Sequence, residues 1–340
     1  MNETTHAATL RASDSNDRAF FGHPAGLLTL FFAEMWERFS YYGMRAILVL
    51  FMAASIETGG LGFGDTPKGV IYALYTSMVY FAGLAGGWLA DNIMGQRRAV
   101  FWGGVVIMLG HISLAFHGLP FFFAGLLLII IGTGLLKPNI STIVGLLYDP
   151  KDARRDSGFA IYYMGINIGS FFGQTACGFL AQHSWFKRSV LAPLGISETA
   201  SWHFGFAAAA VGMFFGLIVF VWKGGLMHEA GLHPNPPASD KDTERRKRIL
   251  WTTSLVIGGI ILLAFTVVSA IYLSGATIAA DTVAWVVNVS FGVLLLGLTV
   301  VSFGRIILLS DLTGEERKRM TVVLILFFAS VLVWGAFEQA

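Results

Sequence analysis

Long apolar runs separated by short polar segments fill nearly the whole chain. The runs cover residues 25–53, 68–92, 97–117, 119–147, 157–182, 201–223, 249–274, 283–309 and 319–340. Each is long enough to cross a bilayer as a helix, which takes about 20 mostly apolar residues. No segment alternates polar and apolar residues with a period of two, so strands are not predicted. The pattern therefore predicts an all-α membrane protein.

The composition agrees with this prediction. The chain is 55% hydrophobic and 13% charged, with a mean hydropathy of +0.67, whereas soluble domains carry about 25% charged residues. The net charge of +2 is too small to predict a nucleic-acid partner. The single cysteine, Cys177, excludes an internal disulfide, and we expect it to be a small buried side chain.

The basic residues are distributed unevenly between the polar segments. If the N-terminus is cytoplasmic, most of the 23 Lys and Arg residues fall on the cytoplasmic side, and only Lys68, Lys187 and Arg188 fall on the other. Cytoplasmic loops of membrane proteins are enriched in Lys and Arg. The sequence therefore predicts a cytoplasmic N-terminal tail, 1–24, and a cytoplasmic linker, 226–248, whose prolines and charges indicate an exposed segment.

The first apolar run carries charged side chains on one helical face. At 100° per residue, a face about 140° wide holds Glu34, Glu37, Arg38, Arg45, Tyr41 and Tyr42. Four charges at mid-helix cost roughly 10–14 kcal/mol to insert, against about 3–7 kcal/mol returned by the apolar residues of the run. Two explanations stay open, an ion-pair cluster that fixes helix packing and a polar cavity for a charged solute or protons. Intramembrane charge favours the cavity.

Polar residues also interrupt three later runs. Lys137 precedes Pro138 in the fourth run, Asn167 lies within a repeat of glycines at every fourth position over 165–173, and Glu338 lies in the last run. The repeat predicts close helix packing. The three polar groups are candidates for the same cavity. Each also has an alternative explanation. Lys137 would lie near the membrane interface, Asn167 would donate a hydrogen bond between helices, and Glu338 would be a carboxylate where the helix leaves the membrane.

Apart from these polar groups, the sequence offers one candidate gate and no catalytic or metal-binding motif. Asp91 and Arg97, at a cytoplasmic turn, are a candidate gate, although an acid and an arginine there are usually a solvated loop. The histidines, including His111 and His117, are expected near the membrane interface. The chain contains no Walker loop, nucleophile elbow or metal-ligand spacing. We therefore predict no catalytic residue and no metal site, and a membrane enzyme or a non-transporting sensor is disfavoured.

Five segments resemble the proton-dependent oligopeptide transporters (POT family) of the major facilitator superfamily. The superfamily motif between helices two and three resembles "GGWLADNIMGQRRA". The POT motif of helix one resembles "EMWERFSYYG", the lysine motif of helix four "GTGLLKPN", the signature of helix five "FAIYYMGINIGSFF" and the acid of helix seven "FEQ". The matches follow the family's order and cover nearly all of 25–340, so the chain is identified as a member.

The resemblance implies proton-driven import of di- and tripeptides by alternating access, with the proton as coupling ion and no cofactor. The peptide carboxylate would be held by Arg38, Arg45 and Lys137. The pocket would be lined by Tyr41, Tyr42, Tyr80 and Asn167. Protonation would be coupled through Glu34, Glu37, Arg38 and Glu338. The alternative is a related proton-coupled carrier for another small solute, such as nitrate or a drug-like acid.

The resemblance also implies a domain order and a location. A six-helix transport bundle would occupy 25–225, a two-helix insertion 249–310, and the first helix of a C-terminal bundle 318–340. Family members have a second six-helix half, so we expect this chain to be a fragment and its partners to include further helices of the same polypeptide. The location implied is the bacterial cytoplasmic (inner) membrane, with the lipid bilayer around a multi-pass protein.

Overall fold

Helices make up most of the structure, a computed structural model that describes residues 17–237, 239–241, 243–248 and 313–337, with side chains up to residue 329. The long helices are α1 (Gly26–Ala53), α2 (Asp65–Leu89), α3 (Gln96–Leu114), α4 (Leu119–Leu146), α5 (Arg155–Gln182), α6 (Ser201–Trp222) and α7 (Gly314–Phe337). They overlap the predicted runs closely, and no strand occurs in the described ranges. The runs 249–274 and 283–309 lie outside those ranges, as does the predicted insertion.

The chain divides into two compact units between residues 276 and 277. The first unit contains α1 to α6, and the second contains α7. The limits predicted for the tail, bundle, insertion and last helix are not tested by this division and stay predictions.

Within the first unit, α1 packs along α5 and α6, while α4 packs against α2 and α3. One apolar cluster, which includes Leu27 and Ile143, surrounds the start of α1. A second cluster, which includes Ile47 and Phe206, surrounds its end. The charged turn 34–38 lies between them, about 12–18 Å along the axis from the start of α1 at a rise of 1.5 Å per residue. The charges are therefore at mid-depth in the bundle.

The glycine repeat of α5 meets the backbone of α1. A methyl group added at Gly169 would lie 2.9 Å from the carbonyl carbon of Met35, and one added at Gly173 would lie 2.8 Å from the carbonyl carbon of Phe39. Both distances are below the 3.5–4.0 Å of a normal carbon contact. The predicted close packing is confirmed, and Cys177, buried at the same interface, is the small buried side chain that was expected.

Three described helical stretches are long and apolar enough to cross a membrane by length and composition alone, Asp65–Met94, Leu119–Leu146 and Glu198–Trp222. The helix α1 is not among them because of its charges. Its insertion therefore depends on compensation by neighbouring helices rather than on its own hydropathy.

The segment after α6 corrects one prediction. Met227 and Ala230 are buried in the apolar cluster at the start of α1, so the first part of 226–248 is packed rather than an exposed linker. The backbone N–H of Arg97 donates to Gly231 O at 2.8 Å, and its Nε donates to Ala230 O at 2.8 Å. The prolines and charges that suggested exposure lie mainly beyond this docked stretch.

Candidate functional site

A buried ion cluster occupies the middle of α1. Glu34, Glu37 and Arg38 are only 3%, 1% and 2% exposed. Arg38 Nε lies 3.1 Å from Glu34 Oε1 and also donates to Glu37 Oε2. The spacing of four residues puts Glu34 and Arg38 one turn apart on the same face. These three groups form the ion-pair cluster that the sequence allowed, and packed protein rather than an open cavity surrounds them.

The cluster is incompletely satisfied by the described residues. Glu34 Oε2, Glu37 Oε1 and Arg38 Nη2 are buried without a hydrogen-bond partner among them. Each such atom costs about 1–3 kcal/mol, and more when charged. A cluster kept only for packing would be expected to pair these atoms.

Lys137 adds a second cation from α4. Its side chain is half-buried, and its Nζ lies 4.6 Å from the centre of the Tyr80 ring. It is close enough to Glu34 and Glu37 to interact electrostatically with both. The ammonium of Lys137 makes no hydrogen bond or ion pair with any residue that the structure describes. This ammonium therefore lies against the face of an aromatic ring.

Arg45 extends the cationic face toward the end of α1. Its Nε donates to Tyr72 Oη at 2.5 Å, and its guanidinium carbon lies 5.5 Å from the centre of the Tyr72 ring. The sequence analysis did not identify Tyr72. The signal was present, because Tyr72, Thr76 and Tyr80 recur at four-residue intervals and share one face of α2.

Aromatic rings surround the arginine of the cluster. The guanidinium carbon of Arg38 lies 5.0 Å from the centre of the Tyr41 ring and 5.9 Å from that of Tyr42. Tyr162 of α5, which sequence reasoning also missed, is buried and interacts electrostatically with Glu34 and Arg38. Cation–π contacts of this kind partly replace the water that a buried guanidinium loses.

The structure brings most of the predicted cavity residues together, and the side chain of Asn167 is not among them. The residues in mutual contact or within electrostatic range are Glu34, Glu37, Arg38, Tyr41, Tyr42, Arg45, Tyr80 and Lys137. Asn167 is exposed on α5, and its side chain has no hydrogen bond to another described residue. Glu338 lies outside the described residues, and its role stays a prediction.

The predicted gate pair is wrong as a direct contact. Asp91 lies in a π-helical turn, Ala90–Met94, and its Oδ1 accepts from Gln96 Nε2 at 2.7 Å. Arg97 donates instead to the carbonyls of Ala230 and His228. The turn at Gly95, where φ is +81°, directs the two side chains to different partners.

Two histidines lie near the end of α3. His111 is fully buried in its last turn, and neither ring nitrogen has a hydrogen-bond partner among the described residues. His117 is paired ring to ring with His203, with centroids 3.8 Å apart. Within the described ranges, no group of three or more His, Cys, Asp or Glu residues is placed to hold a metal ion.

Known proteins resemble this chain over most of its length. The model of the POT family matches residues 97–340. A di-/tripeptide transporter of Lactococcus lactis subsp. lactis (strain IL1403) is 36% identical over 332 residues, which are 96% of this chain and 61% of the relative. This relative is named as a transporter, not as an enzyme.

Solved structures give the same picture. A mutant of a peptide transporter POT in complex with alafosfalin is 39% identical, with a TM-score of 0.75 over 100% of this chain and 62% of that chain. A POT family transporter in complex with 5-aminolevulinic acid is 34% identical, with a TM-score of 0.76 over 95% of this chain and 61% of that chain. The chain thus spans about 60% of the length of the relatives it matches. The likeness confirms the predicted all-α transporter fold.

Proposed function

The chain belongs to the POT family, and on this premise we propose that it is part of a proton-coupled symporter that imports di- and tripeptides. The names of the peptide-transporting relatives support the substrate class. The bias of Lys and Arg between the polar segments supports a cytoplasmic N-terminus in the cytoplasmic membrane.

The observation that carries the proposal is the state of Lys137. Lysine is almost never buried deeply without a partner, yet this half-buried ammonium has no carboxylate in contact among the described residues. The carboxylate of a peptide would supply that partner. Arg45 would reinforce it, while Tyr42, Tyr80 and Asn167 would line the remaining surface with rings and hydrogen-bonding groups that tolerate varied side chains.

Charge balance suggests how binding and protonation would be coupled. The carboxylates of Glu34 and Glu37 lie within range of two cations, Arg38 and Lys137. A bound peptide carboxylate would form an ion pair with Lys137, and the two glutamates would then be neutralised by one guanidinium, that of Arg38. A proton on either glutamate would restore neutrality in this low-dielectric interior. Glu34 and Glu37, with Arg38, are therefore assigned to proton coupling, together with Glu338.

Uptake of labelled dialanine tests the proposal. The intact transporter, reconstituted in liposomes, is compared with Lys137→Gln and with the control Lys151→Gln, whose exposed side chain lies in the loop before α5. We expect gradient-driven uptake to be abolished by Lys137→Gln and retained by the control. Equal driven uptake in both variants would contradict the assignment of Lys137.

A second candidate substrate class has one observation in its favour. A solved relative is described as a complex with 5-aminolevulinic acid, which is a small solute rather than a peptide. Competition distinguishes the two, because a carrier dedicated to such solutes would accumulate 5-aminolevulinic acid under a proton gradient while excess dialanine left that accumulation unchanged.

A further inference from the structure

A groove lies between the start of α3 and the end of α6, on the surface of the first unit and away from the ion cluster of α1. It has a volume of about 220 Å³ and is lined by Arg97, Arg98, Phe101, Phe220, Val221, Gly224 and Met227. It is therefore too small for a drug-sized ligand but has room for a phosphodiester group and a few methylene groups.

The inside of the groove is almost entirely apolar, and its rim carries Arg98, with Lys223 beside the lining residue Gly224 in sequence. Phe101, Phe220 and Val221 supply rings and an aliphatic side chain, and Val221 is 63% exposed on the outside of α6. Arg98 is exposed and makes no hydrogen bond or ion pair with any residue that the structure describes. A soluble anion would not require the apolar floor, whereas an amphipathic anion would use both parts of the surface.

The neighbouring residues place this rim at a membrane boundary. Trp222, at the end of α6, is 75% exposed, and the Nζ of Lys223 lies 4.4 Å from the centre of its ring. Exposed tryptophan is typical of the headgroup level of a bilayer. Arg97 interacts electrostatically with Glu229 and donates to the carbonyls of Ala230 and His228. The positive charge available to a ligand therefore resides mainly on Arg98 and Lys223.

We propose that this groove binds the headgroup of an anionic phospholipid, with Arg98 and Lys223 contacting the phosphate and the first acyl carbons lying on Phe101, Phe220 and Val221. Basic pockets between membrane helices bind anionic headgroups in this way. The proposal requires that the bundle be embedded in a membrane. It does not depend on the solute transported, so peptide uptake and lipid binding can succeed or fail separately.

Native mass spectrometry of the intact transporter in detergent tests this site. The protein is titrated with phosphatidylglycerol, with zwitterionic phosphatidylcholine and with phosphatidylglycerol in the presence of inorganic phosphate. The double variant Arg98→Gln/Lys223→Gln is compared with Lys187→Gln/Arg188→Gln, which removes two cations from the segment between α5 and α6. We expect the first variant to weaken phosphatidylglycerol binding about 30-fold, at about 1 kcal/mol per basic residue, and the second to leave it unchanged.

Three results would overturn the proposal. They are equal affinity of the two double variants for phosphatidylglycerol, equal affinity of the unmodified protein for both lipids, and displacement of the lipid by millimolar inorganic phosphate. Melting temperatures establish that each variant is folded. If the double variant does not fold, Arg98→Gln alone decides the question, because that side chain has no hydrogen-bond or ion-pair partner among the described residues. It should still weaken phosphatidylglycerol binding about 5-fold.

Discussion

Gly169→Ala adds one methyl group where α5 meets the backbone of α1. The added carbon would lie 2.9 Å from the carbonyl carbon of Met35 and 3.0 Å from the amide nitrogen of Phe39, and closer still to the carbonyl oxygen of Met35. All three obstacles are backbone atoms, which cannot rotate away as a side chain could. The two helices would have to separate by at least about 0.6 Å to restore carbon contacts near 3.5 Å.

The expected effect follows from two opposing contributions. Overpacking of this kind costs about 1–3 kcal/mol, and the rigid obstacle places this case at the upper end. Replacing glycine by alanine in a helix returns about 1 kcal/mol. The net loss of unfolding free energy is therefore about 2 kcal/mol, which corresponds to a fall in Tm of about 4–8 °C for a unit of this size.

Gly178→Ala is the matched control on the same helix, because a methyl group there would meet no atom within 4 Å. Melting of both variants is followed in detergent by circular dichroism at 222 nm. We expect Gly178→Ala to melt at or above the temperature of the unmodified protein, and Gly169→Ala well below it. If Gly169→Ala melts at the same temperature as Gly178→Ala, the close α1–α5 contact does not hold the charged face of α1 in place.

Three further predictions concern other parts of the chain. Burial and the nearby Arg154 cation lower the pKa of His23, so the unfolded chain gains a proton first as the pH falls below about 6.5. Folding stability should therefore decline as the pH falls from about 6.5 toward the lower pKa of the folded state. His23→Gln should flatten that decline, whereas parallel Tm profiles would contradict it. Arg97→Ala should raise protease cleavage within 227–237, because the carbonyls of His228 and Ala230 lose their donor. Arg98→Ala is the control, and equal cleavage of both variants would contradict the docking of this segment by Arg97. Glu338→Gln should spare peptide exchange and impair proton-driven accumulation, while equal loss of both would mean that Glu338 binds substrate rather than couples protons.

Local pattern was enough to predict the helices and much of the site. Apolar runs of about 20 residues have few alternatives to spanning helices, and glycine at every fourth position leaves one face without side chains. The cost of placing Glu34, Glu37, Arg38 and Arg45 in an apolar run can be estimated from that run alone, before any compensation by neighbouring helices. These inferences need no knowledge of what lies across the interface.

What the sequence left open depends on partners distant along the chain. A helical wheel puts Glu34 and Arg38 on one face but does not say that packed protein covers them. Arg97 takes carbonyl acceptors more than 130 residues away, and the proximity of Asp91 in sequence suggested the wrong partner. Tyr72 lies on a different helix from Arg45, and only the packing of the bundle brings the two into contact.

The capture of a peptide carboxylate by Lys137 is the central claim, and a binding cycle tests it most directly. The affinities of dialanine and of dialanine with an amidated C-terminus are measured by calorimetry for the intact transporter and for Lys137→Gln. If the ammonium contacts the carboxylate, amidation should weaken binding to the unmodified protein, and the two changes should be coupled by about 1.5–3 kcal/mol. Additive effects, with amidation costing as much in the variant as in the unmodified protein, would contradict the account.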